Sequence, residues 1–448
     1  MKTAKTVIAA TAAVLLALYS ASPLLAYDLL EAWRTAQEND PVFQAARRAY
    51  EAALERLPQV RAGLLPRLTL VGAVRRTDGE VSFDGAPEVE RKVRARDLRL
   101  ELTQPLLRLE NWYAYDQAKW QQRQAEAQWA QATQDLALRL AQAYFDVLAA
   151  EESLAAAEAQ RAAVAAQLEL VRRGFQAGTT AVTDVHEARA RRELAESQWL
   201  AARNDLEARR SALEQLLGEP PPARLARLSP EVRLPPLQPG DPGPWVEAAR
   251  RDNPAVRAME AALAAASAEV ARARAGHWPS LDLVGAAGRD YSSGSLSSPT
   301  NLRTETESSM IGVELRWPWY AGGGVSARVR EAVALEERAR AELEAARREA
   351  AHEARQAFAG VVNGLAQIAA MTEAVAASRS AVEGNRIGYR VGTRINVDVL
   401  NAEQQLYAAQ RDLARARYDT LVQGLRLKAA AGRLAPEDLA AVNSLLAP

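Results

Sequence analysis

GYRVGTRINVDVLNAEQQL, residues 388–406, is a second version of GFQAGTTAVTDVHEARARR, residues 174–192. Glycines stand at 174 and 178 and again at 388 and 392. Thr179 matches Thr393, Asp184-Val185 matches Asp398-Val399, and Ala188 matches Ala402. Each copy joins two long proline-free segments. That is the pattern of a helix that ends, reverses and restarts, because glycine adopts the positive φ that closes a helix. The copies differ at one conspicuous place, where the first has Thr180 and the second Arg394.

Working outward, the duplication covers most of the chain. AGLLPRLTLVGA (62–73) parallels AGHWPSLDLVGA (275–286), and the Asn39-Asp40-Pro41 of one half answers the Asp252-Asn253-Pro254 of the other. Proline at the first position of a helix needs no partner for an N–H, so each of these triplets separates two short helices. Repeat 1 is expected over 27–217, with strands near 66–76 and 93–104, a long helix near 106–173 and a further helix near 182–217. Repeat 2 is expected over 245–439, with strands near 280–290 and 305–317, a long helix near 324–387 and a last helix near 396–432. Between them, the proline-rich stretch 218–244 is expected to stay extended and non-helical. Residues 440–448 are expected to form a short tail. Residues 106–173 contain neither proline nor glycine, and roughly 68 helical residues make a rod of about 100 Å.

Residues 1–26 read as a signal peptide, with Lys2 and Lys5 ahead of the apolar run Val7–Leu18; a membrane anchor is the competing reading. Without that segment the balance is 54 basic (56 less Lys2 and Lys5) against 56 acidic groups, or −2. Nucleic-acid binders carry a clustered basic excess, so no nucleic-acid partner is expected. With no cysteine there is no disulfide framework and no thiolate nucleophile. The three histidines, His186, His277 and His352, form no zinc-binding pair. No GxSxG, Walker or dinucleotide fingerprint occurs, so neither an enzyme nor a cofactor is expected. The abundant carboxylates alternate with arginine at helical spacing, as on a solvated helix face.

The four strands alternate. Leu68, Leu70, Gly72 and Val74 share one face, as do Leu98, Leu100 and Leu102, then Leu281 and Leu283, then Ile311, Val313, Leu315 and Trp317. Polar loops at 77–90 and 291–301 link them in pairs. Aromatic residues gather at the other strand ends (Trp112, Tyr113, Tyr115, Trp278, Trp317, Trp319 and Tyr320), as in an interfacial girdle. Such strands suit a membrane, yet four cannot close a barrel, so a membrane reading requires an oligomer.

On these motifs the chain resembles the TolC family of outer-membrane efflux proteins, most specifically over residues 388–439 and the run PWYAGG at 318–323. The resemblance implies a mainly α fold with transmembrane β: a homotrimer whose chains each lend four strands to one twelve-stranded β-barrel, continued by a long periplasmic α-helical barrel. It implies an outer-membrane exit duct of a tripartite efflux pump or a type I secretion system, a passive water-filled channel gated at its periplasmic tip. Its partners are then outer-membrane lipid, a periplasmic adaptor (membrane fusion) protein and an inner-membrane pump or ABC transporter. Gly174, Gly178, Gly388 and Gly392 fall in the tip turns. Asp184, Tyr389 and Arg394 fall on a family latch between helices, with an ordinary capping pair as the alternative. Asp398 and Asn401 fall on the pore constriction; Asp398 also suits the positive end of a helix dipole, and Asn401 stands where the family carries a second acid. A soluble periplasmic coiled-coil adaptor or structural protein is the rival reading. It accounts for the helices and leaves the four amphipathic strands without a role.

Overall fold

The computed structural model describes residues 26–229, 234 and 236–447. The expected signal peptide therefore lies outside the described residues except for Ala26, as does part of the 218–244 stretch. In chain order the elements are α1 (Leu29–Asn39), α2 (Pro41–Leu54), α3 (Arg56–Arg61), a single 3-10 turn (Ala62–Leu64), β1 (Arg67–Val81), β2 (Val89–Leu107), α4 (Leu109–Gln176) and α5 (Val182–Leu217). There follow β3 (Arg227–Leu228), α6 (Pro242–Asp252), α7 (Pro254–Ala275), β4 (Ser280–Ser292), β5 (Thr304–Arg316), α8 (Gly324–Arg390), α9 (Asn396–Ala430), α10 (Pro436–Asn443) and β6 (Leu446–Ala447). They divide into two compact units. A sheet unit takes Arg48–Gln128 and Ala255–Ala346, and a helical unit takes the described residues of Met1–Arg47, Trp129–Pro254 and Arg347–Pro448.

In the sheet unit the order is β1-β2-β4-β5, antiparallel throughout. Register sets Leu68 opposite Leu102 and Leu70 opposite Leu100, and Leu102 in turn faces Gly285, which faces Ile311. The apolar alternation of all four strands thereby falls on one side of the sheet. Its members lie open: Val74 is 79% exposed and Ile311 77%. The run Leu68 to Val74 spans about 20 Å at roughly 3.4 Å per residue, close to the apolar band of an outer-membrane barrel. On the other side charges are matched across strands, Arg75 with Asp97 at 2.6 Å and Arg99 with Asp290 at 3.5 Å.

The strands are longer at the tips than the sequence pattern suggested. Pairing of β1 with β2 continues through Asp78 opposite Lys92 to Val81 opposite Val89. Beside that extension Arg91 is buried and donates to the carbonyls of Ser295, Ser298 and Pro299, tying the second hairpin loop down on the first. At the other end β2 runs past Pro105 by a register shift between Pro105 and Leu107, which delays α4 to Leu109. There Arg108 donates to the buried Asp282 at 2.7 Å. Trp112, Trp278, Trp317, Trp319 and Tyr320 are exposed, with Trp317 and Trp319 edge to face at 5.4 Å.

The core of the helical unit gathers Leu29, Leu136, Leu140, Tyr144, Phe145, Leu148, Leu213, Leu217, Leu425 and Leu439, all essentially inaccessible. Phe145 stacks on Tyr418 at 5.6 Å. Each proline triplet carries a buried polar anchor. Asp40 accepts from the Phe43 amide and from Arg139, and Asn253 donates to the Ala430 carbonyl. Alanine dominates the contacts elsewhere (Ala188, Ala195, Ala351, Ala354), so neighbouring helix backbones come close. Although no uninterrupted run of 18 apolar residues follows the N-terminal segment, α8 contains a stretch that by length and composition is apolar enough to cross a membrane.

The C-terminal end corrects the expectation of a tail. Residues 436–443 form α10, and Leu446–Ala447 pairs with Arg227–Leu228 of the linker, which is thus partly a strand. Asn443 accepts from the Leu29 amide and donates to Asp28, while Tyr27 bridges Leu225. Beneath them the Tyr144 hydroxyl lies within bonding distance of the carbonyls of Tyr27 (2.8 Å) and Ala226 (3.1 Å). The start of the described chain, the linker and the C-terminus are one clasp, because the extended linker offers backbone groups that the neighbouring extended segments and the Tyr144 hydroxyl satisfy.

Removing the Asn443 amide in Asn443→Ala leaves a buried donor without its acceptor and should lower stability by about 1–3 kcal/mol, read as a drop in the thermal unfolding midpoint. A second expectation concerns alkali. Burial raises Tyr144 and Tyr418 above the usual tyrosine range, and for Tyr418 the charge of Glu152 and the hydrogen bond donated to it add to the rise. The unfolded chain ionises these groups near pH 10 and the folded one does not. Their stabilising contribution is therefore complete below pH 10 and falls as pH rises above it. Tyrosinate absorbance and helix content followed together above pH 10 check this; ionisation of Tyr144 and Tyr418 without loss of helix would contradict it.

Candidate functional site

The two turns are built alike, residue for residue. The amide of Thr179 returns to the Gly174 carbonyl at 2.8 Å and that of Thr393 to Gly388 at 2.9 Å; each threonine hydroxyl donates to the same carbonyl. Gly178 (φ +76°) and Gly392 (φ +81°) hold the left-handed conformation that ends each helix. Gly174 and Gly388 are needed for space. A Cβ on Gly388 would stand 2.6 Å from Arg394 Cγ, and one on Gly174 would stand 3.0 Å from Thr180 Cγ2. Asp184 and Asp398 then occupy the same place in the first turns of α5 and α9. Asp184 accepts from the Ala181 amide at 3.3 Å and Asp398 from the Ile395 amide at 3.4 Å. Each carboxylate satisfies a helix N-terminus, favourable to negative charge.

The turns diverge at Thr180 and Arg394. Thr180 donates back to the Val171 carbonyl at 3.0 Å and is consumed locally. Arg394 extends outward, 60% exposed, and its guanidinium lies 3.8 Å from Asp398. Within one chain, then, Arg394 stands with Asp398. Burial and, after it, the negative charge of Asp184 raise the Tyr389 hydroxyl above its usual value, so it stays protonated. An exposed pair such as Arg394–Asp398 is worth about 0.2–1 kcal/mol.

Motif reading missed three polar contacts near the turns, two that join the turns to each other and one within the second. Arg191 on α5 donates to Asn401 at 3.0 Å and to Gln404 at 2.9 Å, both on α9. Gln167 on α4 donates to Asn396, which is 3% exposed, at 2.5 Å. Arg386 donates twice to the buried Glu403. Asn401, where a second acid was expected from the resemblance, is thus engaged by a cation. The only sequence signal for these contacts is polar residues on otherwise alanine-lined faces, which does not name partners. Among the described residues no group of three or more His, Asp or Glu could hold a metal ion.

Long paired helices that reverse at glycine turns, together with a short antiparallel sheet bearing an open apolar face, define a mainly helical protein with membrane-spanning strands. The chain belongs to the outer membrane efflux protein family, whose profile matches residues 32–219 and 245–433. It is 31% identical over 424 residues to the outer membrane protein TolC of Vibrio cholerae serotype O1, covering 94% of each chain. To the proteases secretion protein PrtF of Dickeya chrysanthemi it is 33% identical, over 92% of this chain and 90% of the relative. The crystal structure of the outer membrane protein VceC from Vibrio cholerae has the same fold, with a TM-score of 0.76 at 20% identity over 90% of this chain and 96% of that one. As a member of this family the protein belongs to the outer membrane.

The turn geometry makes a paired expectation for glycine replacements. Gly392→Ala forces a side chain into the left-handed region and should cost about 1–2 kcal/mol. Gly384→Ala, in α8 with nothing within 4 Å of a Cβ, should gain up to about 1 kcal/mol. Amide hydrogen exchange across residues 385–400 checks both: it should speed up in the first variant and slow in the second.

Proposed function

We propose that the protein is the outer-membrane exit duct of an efflux or type I secretion system. It works as a homotrimer in which three four-stranded sheets close one twelve-stranded barrel and the long helices carry the passage on through the periplasm. The observation that carries this reading is the sheet itself. Its apolar face is exposed on β1, β2 and β5 and half-buried on β4, and β1 and β5 are both open edges. In a bilayer every backbone group needs a partner, so an open four-stranded sheet cannot stand alone. Joining β5 of one copy to β1 of the next supplies those partners and removes the edges. A soluble coiled-coil adaptor has no use for such a face.

The duct is passive in this proposal, with energy supplied by an inner-membrane pump or ABC transporter reached through an adaptor protein at the helical tips. The paired turns form the periplasmic gate. Asp184 and Tyr389 form the catch, and Arg394 of a neighbouring copy is the latch that reaches them. Arg394 must exchange its long, exposed contact with Asp398 for that role, at little cost because the contact is weak. Asp398 and Asn401 line the constriction, with one charge per chain rather than two.

Single-channel conductance in a planar bilayer tests this. The wild type should pass a small current. Arg394→Ala should pass a larger one, because it frees the latch, with a stronger preference for cations, because it removes a positive charge from beside the constriction. Asp398→Asn should lose cation preference. Equal currents in wild type and Arg394→Ala would remove Arg394 from the gate. Inserted protein without any current would remove the duct.

A further inference from the structure

Directly beyond the apolar band, on the same outward side of the sheet, the residue character changes abruptly from leucine to arginine. Register places Val74 opposite Arg96, Arg96 opposite Tyr291, and Arg76 opposite Arg94. Arg94, Arg96 and Arg303 are all exposed, and the Arg303 guanidinium lies over the Tyr291 ring, 4.9 Å from its centre. Arg96, Tyr291 and Arg303, with Leu98, Glu305 and Val74, line an open cleft of about 670 Å³, and Arg94 stands two residues along β2 from Arg96 on the same face, beside the cleft.

The charges on the two sides of the sheet are arranged differently. On the inward side Arg75 and Arg99 are matched to Asp97 and Asp290. On the outward side Arg289 is matched to Glu307 at 3.1 Å, Arg76 to Asp78 and Lys92 to Glu90. Arg94, Arg96 and Arg303 form no ion pair among the described residues, and Glu305 reaches only Arg289, at 4.0 Å. Two guanidinium groups without an ion pair, Arg96 and Arg303, thus line the cleft and a third, Arg94, stands beside it, while Leu98 packs over Gly72 and gives the cleft an apolar side. Guanidinium matches phosphate by geometry as well as charge, and cations at the edge of an apolar membrane segment favour anionic headgroups.

We propose that this cleft is a binding site for a phosphorylated, acylated glycolipid of the outer leaflet, its phosphates held by Arg94, Arg96 and Arg303 and its acyl chains lying over Gly72, Val74 and Leu98. The site rests on the reading that this sheet spans the outer membrane with its hairpin loops outward. Tyr291, with Arg303 seated on its ring, fixes the sugar-level end of the site. The lipid is thereby part of the barrel's outer lining.

Native mass spectrometry of the purified full-length protein, titrated in neutral detergent with hexa-acyl bisphosphorylated lipid A and with the same lipid stripped of phosphate, tests the proposal. The wild type should hold the phosphorylated lipid at least about tenfold more tightly. Arg94→Gln/Arg96→Gln/Arg303→Gln should lose that preference, and Arg75→Gln/Arg99→Gln, which removes two inward arginines, should keep it. Where the triple variant does not assemble, Arg96→Gln alone should reduce the preference about threefold. Equal retention of the two lipids, an unchanged preference in the arginine variants, or complete displacement of the lipid by inorganic phosphate would overturn it. Conductance measured on the same samples separates the two readings. A protein that conducts without lipid preference loses only this site, and one that prefers the lipid without conducting loses only the duct.

Discussion

The rest of the structure depends on the backbone of β1 and β5. Each is long, 15 and 13 residues, and each borders the sheet with one row of amide and carbonyl groups unpaired. In water such an edge invites aggregation; in lipid it is untenable, because no solvent is there to replace the missing partner. The apolar face makes lipid the natural solvent for this sheet, and its open edges then need backbone partners from outside the sheet. A soluble sheet would have resolved the same pattern by laying helices over its leucines. Here the leucines remain exposed and the charges of the opposite side are matched to one another, which is the arrangement of a wall between lipid and water.

The helices meet a different constraint. A helix of 68 residues with no proline and a single glycine, Gly174 in its last turn, has few large apolar side chains over much of its length, and there α4 relies on alanine to bring backbones close. Alanine packing is permissive, since many registers of smooth helices fit equally well. Polar groups supply the missing specificity. Gln167 with Asn396, Arg386 with Glu403, Arg191 with Asn401 and Gln404, and Arg139 with Asp40 each fix one helix against another at a single height. Burying Asn396 and Glu403 in this way makes a slipped register costly, because a displaced partner leaves a polar group desolvated and unpaired.

Duplication gave the chain two nearly identical turns, and their difference is a matter of which hydrogen bonds are already used. Thr180 is short and closes on Val171, so the first turn has no reach. Arg394 at the same position is too long to cap its own helix and extends to Asp398 instead. The pair Asp184 and Tyr389 has the opposite character, partly withdrawn from solvent and held by local geometry.

Much of this was legible in the residues. The period-2 leucines of β1, β2, β4 and β5, the proline triplets at 39–41 and 252–254 and the glycine pairs at 174/178 and 388/392 are local signals, each set by sterics or by alternation within a few residues. The sequence by itself therefore determined where helices start, reverse and stop, and which face of each strand is apolar. Its failures have one cause. The tail at 440–448 became α10 and β6 because its partner, Arg227–Leu228, lies more than 200 residues away. Arg191 looked like any solvated arginine until Asn401 was set opposite it, and Arg94 and Arg96 looked like any charged strand end until register showed that no acid faces them. Pairing across distant segments decides whether a charge is matched, a carbonyl satisfied or a face left bare. Only the tertiary structure carries that information, since side-chain chemistry fixes what a group needs and not which residue supplies it.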